Sequence, residues 1–145
     1  MVSFLYVGTP KSYNSLKGKK KAHYHRALHQ ACRDYHTTAE LLTGELYGLV
    51  YHFYNTETRL DADNLSKPIW DGLSGLLYED DFQIKLRTAA NVNLASGRIE
   101  GLDLTHINPR VLQDLVAATT RGESHVLYIE CGHFKDSMLR FNLNV

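Results

Sequence analysis

Hydrophobic and polar residues alternate over Val2–Val7, which predicts a short first strand. Gly8 to Gly18 breaks the pattern with Pro10, Ser12, Asn14, Ser15 and Gly18 and reads as a loop. From about Lys20 to Leu42 the period becomes helical, with Ala27, Leu28, Ala31, Cys32, Tyr35 and Ala39 three to four apart and Gly44 as a stop. Leu46 to Tyr54 reads as a strand, with Tyr47, Leu49, Tyr51 and Phe53 on one face and Leu46, Gly48, Val50 and His52 on the other. Asp63 or Asn64 can cap a second helix running to about Leu76, with Leu65, Ile69, Leu73 and Leu76 in register. Pro68 suits only a first turn, so the regular helix is expected to begin one or two residues later than those caps.

Phe82 to Leu94 alternates as a strand, with Ile84, Leu86 and Thr88 opposed to Lys85 and Arg87. Gly97 to His106 is irregular. Asn108 then caps a third helix, with Pro109 first, Gly122 just past its end, and Val111, Leu112, Leu115 and Val116 as its apolar stripe. His125–Cys131 and Met138–Val145 read as two strands joined in a hairpin around Gly132 to Ser137. With no repeat or linker-like stretch, the pattern describes one α+β domain.

Composition changes this picture little. The chain has 145 residues, 43% hydrophobic and 22% charged, enough for a core without disulfides or metal staples. No apolar run approaches the ~20 residues of a membrane helix. Met1–Val7 lacks a basic leader and reads as a strand, and Cys32 and Cys131 read as free thiols. The expected location is therefore the cytoplasm.

Charge changes it more. The formal net charge is zero, but the charges are segregated. Lys11, Lys17, Lys19, Lys20, Lys21, Arg26 and Arg33 stand against the single acid Asp34 between Lys11 and His36, a net of +6. Between Glu40 and Asp81 nine acids stand against Arg59 and Lys67, a net of −7. A basic segment beside an acidic one suits an enzyme acting on a polyanion, with phosphates gripped by one and a metal held by the other.

The acidic segment carries the candidate chemistry. Asp61 and Asp63 are two apart, so in extended backbone both point to one side. Asp63, Lys67 and Asp71 follow at helical spacing, which puts Lys67 within reach of either carboxylate or of a bound phosphate. Asp80 and Asp81 come after room for a turn and can return beside Asp61 and Asp63. Carboxylates with open positions suit Mg²⁺, with Mn²⁺ as a substitute; the metal would polarise a scissile phosphate. Caps, a surface ion pair and a solvated turn are the structural reading of the same residues, but capping accounts for only one of Asp61 and Asp63.

The string D-x-D-N-L-x-K-P-x-x-D-x-L-x-G, followed by D-D-x-Q-I, resembles the signature of RusA-type Holliday-junction resolvases. Here it is Asp61, Asp63, Asn64, Leu65, Lys67, Pro68, Asp71, Leu73 and Gly75, then Asp80, Asp81, Gln83 and Ile84. Gly8-Thr9-Pro10-Lys11-Ser12-Tyr13-Asn14 resembles the family's G-x-P-x-S-x-N loop. The resemblance covers roughly residues 2–94 and a late strand near Val126–Cys131. It implies a single small RusA-like α+β domain over 1–145, a mixed sheet packed with helices, with an extra C-terminal helix and hairpin and a helical insertion at 97–122.

The resemblance also implies a Mg²⁺-dependent endodeoxyribonuclease that resolves four-way or other branched DNA. Its partners would be branched DNA and a second copy of the chain, with no membrane and no small-molecule cofactor. Asp61, Asp63 and Asp81 would hold metal and serve catalysis with Lys67, and Asp71 and Asp80 would support them. Lys11, Asn14, Lys17, Lys19, Lys20, Lys21, Arg26 and Arg33 would grip DNA. The 97–122 segment is longer than the family's usual connection, and overall neutrality departs from a basic DNA-binding surface.

Other groupings carry less. His23, His25, His29, Cys32, Cys131 and His133 fit no compact zinc spacing; the helix histidines read better as facing phosphate. His52 reads as core or as support to the acidic site. Tyr13, Tyr24 and Tyr35 are candidates to stack on bases, or are structural. Two competing functions remain: a catalytically inactive branched-DNA-binding or scaffold protein on the same fold, and an interaction module docking through the 108–121 helix.

Overall fold

The computed structural model describes residues 1–37, 40–96 and 98–141. Its centre is a sheet of four strands, β1 (Val2–Val7), β2 (Leu46–Tyr54), β3 (Ile84–Asn93) and β4 (His125–His133), in the order β1-β4-β2-β3. β4 runs antiparallel to both β1 and β2, whereas β3 runs parallel to β2. That parallel pair requires a crossover, supplied by helix α2 (Ala62–Leu73). Helices α1 (Gly18–Tyr35) and α3 (Pro109–Thr120) complete the described α-helices.

Burial on both sheet faces explains the strand patterns. Val2, Phe4, Leu46, Val50, Leu127, Ile129 and Cys131 point towards α1 and α2. Leu5, Phe53, Val126 and Tyr128 point the other way, against Val111, Leu115 and Ala118 of α3. The two faces expected for β2 hold. α1 buries Tyr24, Leu28 and Cys32, one turn apart, and α2 buries Leu65, Ile69 and Leu73 with Trp70, all four fully enclosed.

Several boundaries differ from expectation. α1 stops at Tyr35, seven residues short of Leu42, because His36 turns extended at φ −134°, ψ 123°. Its buried stripe is rotated towards Tyr24, and Ala39 lies outside the described residues. α2 is capped by Asp61, not by Asp63 or Asn64, and begins at Ala62 with Pro68 well inside it. An interior proline costs roughly 3 kcal/mol; burial of Leu65, Ile69, Trp70 and Leu73 outweighs it at roughly 1.5–3 kcal/mol per large side chain. The helix ends at Leu73, and Gly75 at φ +85° reverses the chain.

β3 begins at Ile84 rather than Phe82, since Asp81–Gln83 form a capped 3-10 turn. On α3, Val116 is 51% exposed and Ala118 takes its place in the buried stripe. The C-terminal hairpin does not form over 138–141. β4 already has a neighbour along each edge, so no ladder is left for a following strand, and Asp136–Met138 are a 3-10 turn. Residues 142–145 of that expected strand lie outside the described residues. Cys32 and Cys131 are free, as expected; burial pushes their thiols up to about 11 and about 12. No described helix is long and apolar enough to cross a membrane.

Candidate active site

The site is built on α2 and on the turn that enters β3. Asp61 caps α2: Oδ1 accepts from the Asn64 backbone N–H at 2.8 Å and Oδ2 from Asn64 Nδ2 at 3.2 Å. Asn64 thus fixes the carboxylate that precedes it. Asp61 and Asp63 are both exposed at this helix N-terminus, where the helix dipole favours negative charge. Lys67 follows Asp61 by six residues, a rise of about 9 Å along the axis.

Lys67 is the hub of a second group. Its Nζ stands 3.1 Å from Asp71 Oδ1 and 3.9 Å from Asp81 Oδ2, while its side chain stays 44% exposed. It also lies 5.4 Å above the ring of Tyr13, which is 48% exposed. The structure therefore brings Lys67, Asp71 and Asp81 together, and no ion pair forms between Lys67 and Asp63 among the described residues. Asp81 has a further partner that sequence reasoning missed. Arg87 NH2 donates to the Asp81 carbonyl at 2.9 Å and to its Oδ2 at 3.2 Å. Only the position of Arg87 six residues after Asp81 hinted at this, and no pattern singled it out.

Asp80 and Gln83 hold the turn. Asp80 Oδ1 accepts from the Phe82 N–H at 2.9 Å, and Gln83 Oε1 accepts from the Glu79 and Asp80 N–H groups at 3.0 and 3.1 Å. Gln83 Nε2 donates to the carbonyls of Leu42 and Gly44, at 3.2 and 3.1 Å. Asp80 is thus a cap that shapes the backbone around Asp81. Phe82, next along and expected within a strand, is instead 77% exposed with Lys85 Nζ 3.7 Å from its ring centre.

The basic segment abuts this site. Lys11, Asn14, Lys17, Lys19, Lys20, Lys21, Arg26 and Arg33 are all exposed. Lys11, Lys19, Lys20 and His23 line an open cleft of about 440 Å³ with Ser15 and Leu16. Lys21, His25 and Tyr13 border Asp71 and Pro68. His25 Nε2 is buried without a partner among the described residues, and burial, with Lys21 and His29 nearby, holds its pKa low. His29 is occupied by the Gly72 carbonyl at 2.6 Å, which ties α1 to α2.

The remaining candidates divide. Tyr24 is core, at 1% exposure, and cannot stack on a base. Tyr35 donates to Asp114 Oδ2 at 2.6 Å under the Arg110 guanidinium and joins α1 to α3. His52 is fully buried beside His125 and Asn91.

Among the described residues, no three His, Cys, Asp or Glu side chains converge as a metal cluster. The donor set still fits Mg²⁺. Asp61, Asp63 and Asp81 offer only hard carboxylate oxygens, and Mg²⁺ commonly takes one or two protein carboxylates and completes its shell with water and substrate phosphate. Asp61 and Asp63 are exposed carboxylates of that kind. The family model for endodeoxyribonuclease RusA matches residues 6–100, a span that holds the basic loop, α1, α2 and β3 and ends before α3. No curated protein matches the chain.

Proposed function

The chain belongs to the RusA endodeoxyribonuclease family, and on that premise we propose that it is a Mg²⁺-dependent endodeoxyribonuclease acting on four-way or other branched DNA. One observation carries this reading. Lys67 is held between Asp71 and Asp81 yet remains 44% exposed, and Lys21 of the exposed basic segment borders Asp71.

Asp61 and Asp63, with Asp81, would hold the metal, and Mn²⁺ would serve as a substitute. Bound there, the metal supplies Lewis-acid polarisation of the scissile phosphate and acidifies a water. Lys67 offsets negative charge growing on the phosphate, its ammonium oriented by Asp71. Arg87 keeps Asp81 from swinging away, and Asp80 fixes the turn that presents it. The face from Lys11 to Arg33, with Asn14, binds phosphates by charge and displaces counterions. Tyr13 and Phe82 flank the site with exposed aromatic faces suited to unpaired bases at a branch point. A homodimer would place two such sites for paired nicks.

A second reading has an observation in its favour. Asp81 is already held by two cations, as it would be in a catalytically inactive junction-binding or scaffold protein. The interaction-module reading loses ground, since α3 spends Val111, Leu115 and Ala118 on the sheet. Incubation with a synthetic four-way junction, a fork and plain duplex, with Mg²⁺ and with chelator, separates the readings. The nuclease nicks branched DNA only with Mg²⁺. The scaffold binds it regardless of Mg²⁺ and leaves it intact at any protein excess.

A further inference from the structure

A chain of polar side chains crosses the α2-facing side of the sheet and ends at the residue before Asp61. His125 of β4 and His52 of β2 stack with ring centres 5.2 Å apart, and His125 Nδ1 lies 2.9 Å from His52 Nε2. His52 Nδ1 lies 2.8 Å from Oδ1 of Asn91, its register partner on β3. Asn91 Nδ2 donates to the Leu60 carbonyl at 2.9 Å.

The far end fixes every direction in this chain. A carbonyl only accepts, so the amide nitrogen of Asn91 must face Leu60, which leaves Oδ1 to accept from His52 Nδ1–H. A neutral His52 then accepts at Nε2 from His125 Nδ1–H. Burial lowers the pKa of both rings and favours these neutral forms. Apolar side chains would fill this face of the sheet without the desolvation that a buried polar chain incurs. Packing alone therefore gives no reason for it.

The peptide it holds supplies one. Asp61, directly after Leu60, caps α2 through its side chain and starts the helical ladder by accepting the Leu65 N–H at its carbonyl, at 2.9 Å. We propose that Asn91 is a positioning residue for Asp61. It anchors the Leu60–Asp61 peptide to the sheet, and the His52–His125 pair keeps its amide from turning over. The inference rests on the assignment of Asp61 as a metal-holding carboxylate. Residues behind metal ligands typically change affinity or activity by about 10–100-fold when removed.

The test is Asn91→Asp, which keeps the acceptor for His52 but sets an oxygen against the Leu60 carbonyl. Three quantities are measured on the full chain: Mn²⁺ affinity by calorimetry without DNA, amide exchange at Asn64 and Leu65, and affinity for a four-way junction in chelator. The expected result is Mn²⁺ binding weaker by about tenfold or more, faster exchange at both amides, and unchanged junction affinity in chelator. Wild-type Mn²⁺ affinity and wild-type exchange in the folded variant overturn the proposal. If Asn91→Asp does not fold, His125→Ala at the half-buried end of the chain is read the same way, with a smaller shift expected and no shift overturning it. Asp61→Asn separates the two levels. If it leaves Mn²⁺ affinity intact, the metal reading of Asp61 fails, while the exchange rates still report whether Asn91 anchors the peptide.

Discussion

Arg87 grips Asp81 at two points with one nitrogen, 2.9 Å to its carbonyl and 3.2 Å to Oδ2. The contact joins β3 to the turn before it and fixes both the backbone and the carboxylate of a proposed ligand. Arg87→Ala should lower the cleavage rate by about 10–100-fold. Stability should change by less than about 1 kcal/mol, because this exposed pair contributes little to folding. Steady-state cleavage and urea unfolding on the same preparation check both; equal loss of activity and stability would make Arg87 a structural residue only.

That grip shows what the chain's pattern conveyed and what it did not. Leu65, Ile69 and Leu73 at one-turn spacing announced α2, and Asn108-Pro109 announced α3, because local periodicity and capping chemistry decide both. The order of the strands was not legible. That β4 sits between β1 and β2 follows from which apolar faces meet across the fold, and it is the reason no hairpin strand forms over 138–141. Nor did the pattern say why Gly48 interrupts the inner face of β2. A methyl group there would stand 2.6 Å from Cζ2 of the fully buried Trp70, so the strand needs a glycine where the helix presses closest.

Carboxylates and Lys67 stood out at the site because charge at helical spacing is visible in one dimension. Arg87 and the His52–Asn91–Leu60 chain were hidden, since their partners lie in other elements. Asn64, Asp80 and Gln83 belonged to the recognised string, but their capping roles appear only with the turns they close.

Asp80→Ala removes the cap of the Asp81–Gln83 turn. A loss of about 0.5–2 kcal/mol is expected, together with slower cleavage, because Asp81 inherits the disorder of its turn. Gln83→Ala should act in the same direction through Glu79, Leu42 and Gly44. Wild-type cleavage by both variants would show that Asp81 is held without the turn.

Acid should weaken the fold. Burial lowers the pKa of His52 and His125, and of His25, below the ordinary 6.5. The unfolded chain therefore binds more protons than the folded one once pH drops below about 6.5. Stability from these neutral rings is complete above that pH and declines as pH falls towards the lowered values. Urea midpoints on either side of that pH, about one unit above and one below, test this. His52→Phe should flatten the difference, and a midpoint that rises on acidification would contradict it.

Raising salt should weaken junction binding steeply. Charge removal at Lys19, Lys20 and Lys21 should reduce the slope of log affinity against log salt by about one for each phosphate no longer neutralised. Titrations of a labelled junction at several salt concentrations, in chelator, read the slope directly. An unchanged slope would move the DNA-binding face elsewhere.

Asp81→Asn tests the central claim most directly, because it removes the carboxylate charge that meets both Lys67 and Arg87 while keeping the side chain's size. With Mg²⁺ and a synthetic four-way junction, the wild-type protein should nick the branch, and the variant should bind it as tightly or more tightly and leave it uncut. Cleavage by Asp81→Asn at the wild-type rate would contradict the account.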